Sequence, residues 1–552
     1  MLYRSNYPDV PVPDQDIYHY LFEAEGRQEN VDATVFIDGE DHRRMTVAEL
    51  HRSSKRLASA LRTAHQARRG MVAAIYSFND MDYPIMVFGA LAAGLTVTTV
   101  SAYYTVDEVE HQLRDARASI LLVDRHLAIP GRKAAARVGI PPENVIIAGV
   151  HEGHSPDLLF EGHTSVRRLI RQHEAMATVK LEGSEVDDTV AFICYSSGTT
   201  GKPKGVMLTH RNIVACACQY MSIEQEWIKQ HPTSDVYVAF LPFFHVYALN
   251  CIVIGAVLRR DTAILMRSFE FKRFLELNHH YKATCAYVVP PICLLLAKDP
   301  LVDQYDLSNW REVTSGAASL GAELTKALTT RLNVPLREGF GMTETGAGTH
   351  LTLRPNPIQG SVGVLVPNLV AKIVDQDGNI LPVGAQGELC IRGPSIMKGY
   401  LNRPDATAAS FDKDGFLRTG DVAYADETGH FFIVDRVKEF IKYNAYQVAP
   451  AELEEILQTH EAVADACVVG YHCRERATEL PMAYVALKQG YVGKVTEAEL
   501  VAYAAARTAP FKKLRGGVEF VSEIPRSASG KLLRRLMREQ ARARAETLRA
   551  KL

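Results

Sequence analysis

The sequence predicts an α/β protein. A large N-terminal body of parallel sheets with helices and a β subdomain is followed by a small α+β C-terminal domain. Three observations carry this. First, the short apolar runs Val72–Tyr76, Ile120–Val123, Val145–Ile147 and Val190–Cys194 are bounded by polar or turn residues and read as buried strands. They alternate with helix-like segments such as Met81–Ala93, rich in small apolar residues. Second, glycine turns crowd the stretch from Gly360 to Asp435: Asp377-Gly378, Val383-Gly384, Gly387, Gly393, Asp414-Gly415 and Gly420. Strand-like residues between them indicate a mostly β subdomain. Third, the residues after Asp435 hold a helix over Pro450–Thr459, strands over Ala464–Val469 and Met482–Leu487, and a basic helix over Lys531–Leu552.

A chain of 552 residues exceeds one ordinary domain, and 47% hydrophobic residues supply a core that needs no disulfide or structural metal. Lys plus Arg number 62 and Asp plus Glu 64, so the dedicated basic footprint of a nucleic-acid binder is missing. The nine cysteines form no C-x-x-C and read as reduced, buried thiols. Met1 to Asp16 is polar and proline-rich, which argues against a secretory signal. The apolar stretches Met86–Val100 and Leu249–Leu258 fall short of the ~20 residues of a membrane span.

Four blocks carry chemistry. Tyr195-Ser196-Ser197-Gly198-Thr199-Thr200-Gly201-Lys202-Pro203-Lys204-Gly205 follows an apolar strand. Its glycines let backbone N–H groups approach a phosphate, its hydroxyls donate, and its lysines neutralise charge. It is not a Walker A loop, because Pro203 stands where Ser or Thr is required. Glu338-Gly339-Phe340-Gly341-Met342-Thr343-Glu344-Thr345-Gly346 offers Thr343 to a phosphate and Glu344, a hard oxygen ligand, to Mg²⁺. Arg418-Thr419-Gly420-Asp421 is followed by Asp435-Arg436, and a carboxylate suits the two hydroxyls of a ribose. In Pro525-Arg526-Ser527-Ala528-Ser529-Gly530-Lys531 a glycine precedes a lysine that can deliver a point charge. Taken singly, the second block reads equally well as a turn, and the last two read better as a surface ion pair and a solvated lysine.

Together, in this order, the blocks resemble the adenylate-forming superfamily of acyl-CoA synthetases, peptide-synthetase adenylation domains and luciferases, most of all its 4-coumarate–CoA ligase branch. Leu241-Pro242-Phe243-Phe244-His245-Val246-Tyr247, Gly387-Glu388-Leu389-Cys390-Ile391-Arg392-Gly393-Pro394 and Lys442 with Gln447-Val448-Ala449-Pro450 add to the match. The resemblance implies an acid–thiol ligase that uses ATP, Mg²⁺ and coenzyme A. A carboxylate attacks the α-phosphate of ATP, and a thiol then attacks the acyl-adenylate. It implies that Ser196, Ser197, Gly198, Thr199, Thr200, Gly201 and Lys204 hold phosphates. Glu338 and Gly339 line the nucleotide site, Thr343 binds the α-phosphate and Glu344 the metal. Asp421 takes the ribose, with Arg436 beside it. Lys531 bridges carboxylate and phosphate. The resemblance also implies a body of residues 1–435 and a mobile domain of residues 436–552 that turns about Lys438. That turn withdraws Lys531 and brings in Lys442 and Gln447. The acyl pocket is implied at His245, Tyr247, Cys251, Gly316, Ala317 and Gly341, and suits a medium-sized apolar acid, aryl, arylpropenoic or medium-chain. Cys251 has no identifiable base beside it, so it is not read as a nucleophile.

Four residues at three sites depart from the pattern. Asn444-Ala445 replaces a Lys-Gly pair, Ser268 replaces a lysine that contacts CoA, and Glu338 replaces a glutamine. Arg267 is the candidate substitute cation. The first two departures keep open transfer to a carrier-protein thiol, or a luciferase-like oxidation. The final Ala550-Lys551-Leu552 is a conservative variant of the Ser-Lys-Leu address, which predicts recognition by the peroxisomal import receptor and a matrix location.

Overall fold

The computed structural model describes residues 1–550 other than 152, 154–156, 197–202, 317–319, 347, 355–356, 437–438, 444–445, 474–477 and 528–529. The side chains of 446–447 and 543–550 are outside that description. The central sheet runs Gly399–Tyr400, Lys204–Thr209, Val190–Ser196, Thr96–Val100, Val72–Tyr76, Ala118–Asp124, Val145–Ala148. Its last five strands are parallel, as their apolar runs predict. The helix Asp82–Ala92 is buried at every position and feeds the strand Thr96–Val100. A side chain at Gly89 would lie 2.8 Å from Leu57, so only glycine lets the helix Val47–Thr63 pack this closely.

A second sheet places Cys285–Val288, Glu312–Ser315 and Leu336–Gly341 in parallel, then Gly348–Leu351 and Val364–Leu365 antiparallel. A third groups Val236–Ala239, Thr262–Leu265, Thr34–Asp38 and Arg44–Thr46. The β subdomain is five antiparallel strands: Tyr3–Arg4, Val370–Val374, Gly387–Arg392, Leu417–Ala425 and Phe431–Arg436. Its edge strand comes from the N-terminus, outside the predicted Gly360–Asp435 span. Two residues are too short a strand to leave an alternation pattern.

The C-terminal domain has a sheet of Val463–Cys473, Thr478–Leu487 and Gly517–Val521 with helices Pro450–Gln458, Glu497–Ala505 and Arg534–Ala550. Its two apolar clusters use only residues from Ile441 onward, so it buries a core of its own. The basic helix starts at Arg534, three residues later than predicted, because Lys531 and Leu532 belong to the loop that bridges Arg526 to Leu532. Arg534 is itself largely covered and paired with Glu439 and Glu454. All nine cysteines are free thiols. Among the described residues, no helix is long and apolar enough to cross a membrane.

Candidate active site

The site forms where strand ends of the two main sheets meet. Ser196 ends Val190–Ser196 and pairs in register with Lys204, so the two residues close the base of the glycine-rich loop. Ser197, Gly198, Thr199, Thr200 and Gly201 lie outside the described residues. The Ser196 hydroxyl donates to Glu344 Oε1 at 3.2 Å, and the Tyr400 hydroxyl donates to the same oxygen at 2.9 Å. Lys204 Nζ lies 4.8 Å from the centre of the Tyr400 ring. Glu344 is buried in the tight turn Thr343–Thr345 that follows the strand Leu336–Gly341. Gly346 closes this turn at φ +74°, where a side chain would be strained and would strike Cys216 Sγ.

Asp421 and Arg436 face each other on paired strands, and Arg436 Nε donates to Asp421 Oδ1 at 3.1 Å. Asp421 Oδ2 is buried with no hydrogen-bond partner among the described residues. Burial pushes the Asp421 carboxyl up to about 6, opposed by Arg436 and Lys531. Lys531 is crowded by protein yet keeps solvent access through the cleft. Burial holds its ammonium below the ordinary lysine value, and Arg436 acts in the same sense. Glu344 and Asp421 oppose both. The preceding Gly530 packs on Val289 and Pro291 of the body, which brings the lysine in.

Lys442 stands elsewhere. It is exposed on the hairpin strand Ile441–Tyr443, where its N–H donates to Glu479 at 2.8 Å and its carbonyl accepts from Thr478. Gln447 pairs with it across the hairpin, its side chain being outside the description. Lys438 lies outside the described residues. So the structure brings Lys531, Thr343, Glu344, Asp421 and Arg436 together and leaves Lys442 apart.

A cavity of about 190 Å³ leads inward from Lys531 and Thr343, past Gly341 and His245, to Tyr247, Cys251 and Gly316. Burial lowers His245 to about 4, and Lys531 adds to this, so its imidazole is neutral at neutral pH. The Tyr247 hydroxyl is buried without a partner among the described residues, and a side chain at Gly316 would meet its ring at 3.2 Å, so the glycine makes room for the tyrosine. Cys251 sits on the π-helical turn Leu249–Ile254, and burial pushes its thiol up to about 12, which agrees with its reading as a wall residue. Ala317 lies outside the described residues. Gly339 lines the cavity; Glu338 is buried beside it, pushed up to about 7, its carboxyl reached by the Leu320 N–H at 3.4 Å.

Sequence reasoning missed Tyr220, Tyr287, Ser315 and Arg337, which also line the cavity. The spacing of Cys216, Tyr220 and Ile223 on one face of the helix His210–Gln230 is the signal that finds part of this wall. A second cavity of about 240 Å³ lies between Tyr103, Arg267 and the loop bearing Ser527 and Gly530. Arg267 forks onto Asp124 at 2.8 and 2.9 Å and stacks over Phe78, so the expected substitute cation is already neutralised.

Residues 22–401 match the family model of AMP-binding enzymes, and residues 452–531 that of their C-terminal domain. The chain is 38% identical to 4-coumarate–CoA ligase of Pinus taeda, over 98% of each chain. It is 36% identical to 4-coumarate–CoA ligase 1 of Petroselinum crispum, over 98% of this chain and 96% of that one. ATP-bound MatB from Rhodopseudomonas palustris superposes with a TM-score of 0.83 at 25% identity, over 95% of this chain and 98% of that one. The chain therefore belongs to the AMP-binding enzymes of the adenylate-forming superfamily, as an acyl-CoA ligase of the 4-coumarate–CoA ligase type.

Proposed function

We propose that the protein joins a medium-sized apolar carboxylic acid to coenzyme A in the peroxisomal matrix, using ATP with Mg²⁺. The observation that carries the reaction is Asp421 Oδ2, buried beside Arg436 with no partner among the described residues, and within the influence of Lys531, which lines the acyl cavity. A buried acceptor of this kind suits a ribose hydroxyl. Thr343 and Lys531 then face the α-phosphate while the cavity holds the acid chain. The acid's carboxylate oxygen attacks the α-phosphorus, the bond to pyrophosphate breaks, and an acyl-adenylate remains. Lys531 bridges the two negative reactants and lowers the cost of bringing them together. Neutral His245 adds no repulsive charge for the cation to overcome. Glu344 is the residue that would hold Mg²⁺, which prefers few carboxylates and several waters and would shield the phosphate charge.

In the second step the CoA thiol attacks the acyl carbon, AMP leaves, and the thiol proton goes to solvent. We assign that step to a turn of residues 436–552 about Lys438 that brings Lys442 and Gln447 inward. The exposed position of Lys442 supports this, since a residue placed away from the cavity has no part in the first step as seen here. The relatives' names favour an aryl or arylpropenoic acid over a medium-chain one.

Purified protein, ATP, Mg²⁺ and a panel of acids test the reading by pyrophosphate exchange, with acyl-CoA detected by mass when only CoA is added. Exchange without acyl-CoA points to a carrier-protein acceptor; no exchange with any acid refutes the proposal. The pH profile follows from Asp421. Only its carboxylate form accepts both ribose hydroxyls fully, and its raised value makes that form scarce below about pH 6. The expected result is kcat/KM for ATP that falls as pH drops through 6, and an Asp421→Asn variant that is slower and lacks this limb. For location, a fluorescent fusion without Ala550–Leu552 is expected to leave peroxisomes; unchanged puncta contradict the address.

A further inference from the structure

Two hydroxyls converge on one carboxylate oxygen. Glu344 Oε1 accepts from Ser196 at 3.2 Å and from Tyr400 at 2.9 Å. A carboxylate offers two oxygens and about four acceptor positions. Among the described residues, no hydrogen bond or ion pair goes to Oε2. Arg436 and Lys531 feel the Glu344 charge without forming an ion pair with it. The carboxylate thus has one oxygen tied by hydroxyls and the other left untied by its described neighbours.

The backbone fixes Tyr400 for this contact. The strand Gly399–Tyr400 pairs with Lys204–Thr209, with Tyr400 opposite Val206. On either side of the tyrosine, the Lys398 N–H donates to the Met207 carbonyl at 3.0 Å and the Leu401 N–H to the Gly205 carbonyl at 2.8 Å. The Met397 N–H donates to the Glu344 carbonyl at 2.9 Å. One short segment therefore holds Glu344 by its backbone and by its side chain. The segment is anchored in turn. The Asn402 side chain donates to the Asp115 carbonyl at 2.9 Å, and the Tyr195 hydroxyl donates to Asp115 Oδ2 at 2.8 Å. Asp115 so ties the segment to the stem of the glycine-rich loop. Lys204 Nζ lies 4.8 Å from the Tyr400 ring centre, a contact with the ring face that does not use the hydroxyl.

A carboxylate free to swing can offer a metal both oxygens or neither. Mg²⁺ demands near-octahedral geometry and takes few carboxylates, so a single oxygen held in a set direction suits it. Groups that hydrogen-bond a metal ligand typically govern metal affinity by about 10- to 100-fold. We infer that Tyr400 is a positioning residue for Glu344: its hydroxyl ties Oε1 and so presents Oε2 as the single ligand for the metal that accompanies ATP. The inference rests on the assignment of Mg²⁺ to Glu344 in the proposed function. Tyr400 is the better probe of the two donors, because Ser196 also belongs to the expected phosphate loop.

The test measures binding, with no turnover. The dissociation constant of α,β-methylene-ATP, which cannot release pyrophosphate, is measured on the intact protein with EDTA and with Mn²⁺. The ratio of the two is the metal's contribution. Tyr400→Phe keeps the ring under Lys204 and removes only the hydroxyl. It is expected to lower the ratio by about 10-fold and to leave the EDTA value unchanged. Glu344→Gln is expected to lower the ratio at least as far. A Tyr400→Phe ratio within threefold of the native one overturns the inference. Equal weakening with and without metal also overturns it, since that marks a structural role. A native ratio in Glu344→Gln removes Glu344 as the metal's residue and the inference with it. Neither result touches the ligase reading, which stands or falls on exchange with the acid panel.

Discussion

Lys531→Ala lowers the acid-dependent ATP–pyrophosphate exchange rate by about 10²–10³, the effect of deleting one donor aimed at developing charge. The loss is expected to fall on kcat and spare ATP affinity, because the proposed function gives the nucleotide to the Asp421–Arg436 pair. Lys531 is the one cation from the C-terminal domain among the described residues that line the acyl cavity, and it feels the charges of Arg436, Glu344 and Asp421. Its stem is fixed through Gly530, whose close packing on Val289 admits no bulk. Arginine restores little, since its planar fork cannot take the place of a compact ammonium. Transfer from supplied acyl-adenylate to CoA is expected to survive, because the proposed turn of the domain replaces Lys531 by Lys442 for that step. Exchange within threefold of the native rate in Lys531→Ala contradicts the assigned role.

Glu224→Ala destabilises the N-terminal body by about 3–5 kcal/mol, the cost of orphaning a buried charge. Glu224 has no solvent exposure and accepts both terminal nitrogens of Arg337 at 3.2 Å, as well as Arg354. Removing it leaves Arg337 and Arg354 to share the one carboxylate of Glu312. Glu224→Gln keeps an acceptor and a similar volume, so a smaller loss is expected. The chain has more than one core, so the measurement is the shift of the body's own thermal transition. Glu224 lies one turn beyond Tyr220 and holds Arg337, both of which line the acyl cavity, so KM for the acid is expected to rise before the fold is lost. An unchanged transition contradicts the view that this network supports the cavity wall.

Much of the fold was legible because buried parallel strands leave unbroken apolar runs. Val72–Tyr76 is the observed strand residue for residue, and Val190–Cys194 falls short of its strand only at the polar end. The predicted helix over Pro450–Thr459 ends one residue early, at a cap. Motif residues were legible where their chemistry is unusual, as in Thr343–Glu344 and Gly530–Lys531. What sequence could not show is contact between distant segments. Tyr400 reaches Glu344 from the far edge of the central sheet, and no local pattern marks it. Tyr220, Arg259 and Tyr287 look like ordinary core or surface residues until a helix and a strand bring them together. Arg267 looked like a free cation because Asp124, which neutralises it, lies on a different strand.

Labelled oxygen tests the central claim most directly. The acid is supplied with ¹⁸O in its carboxylate, with ATP, Mg²⁺ and CoA, and the products are analysed by mass. If the carboxylate attacks the α-phosphorus, one ¹⁸O ends in the phosphate of AMP, and the pyrophosphate is unlabelled. Label in inorganic phosphate, with ADP formed, or AMP free of label while acyl-CoA accumulates, would contradict an acyl-adenylate route.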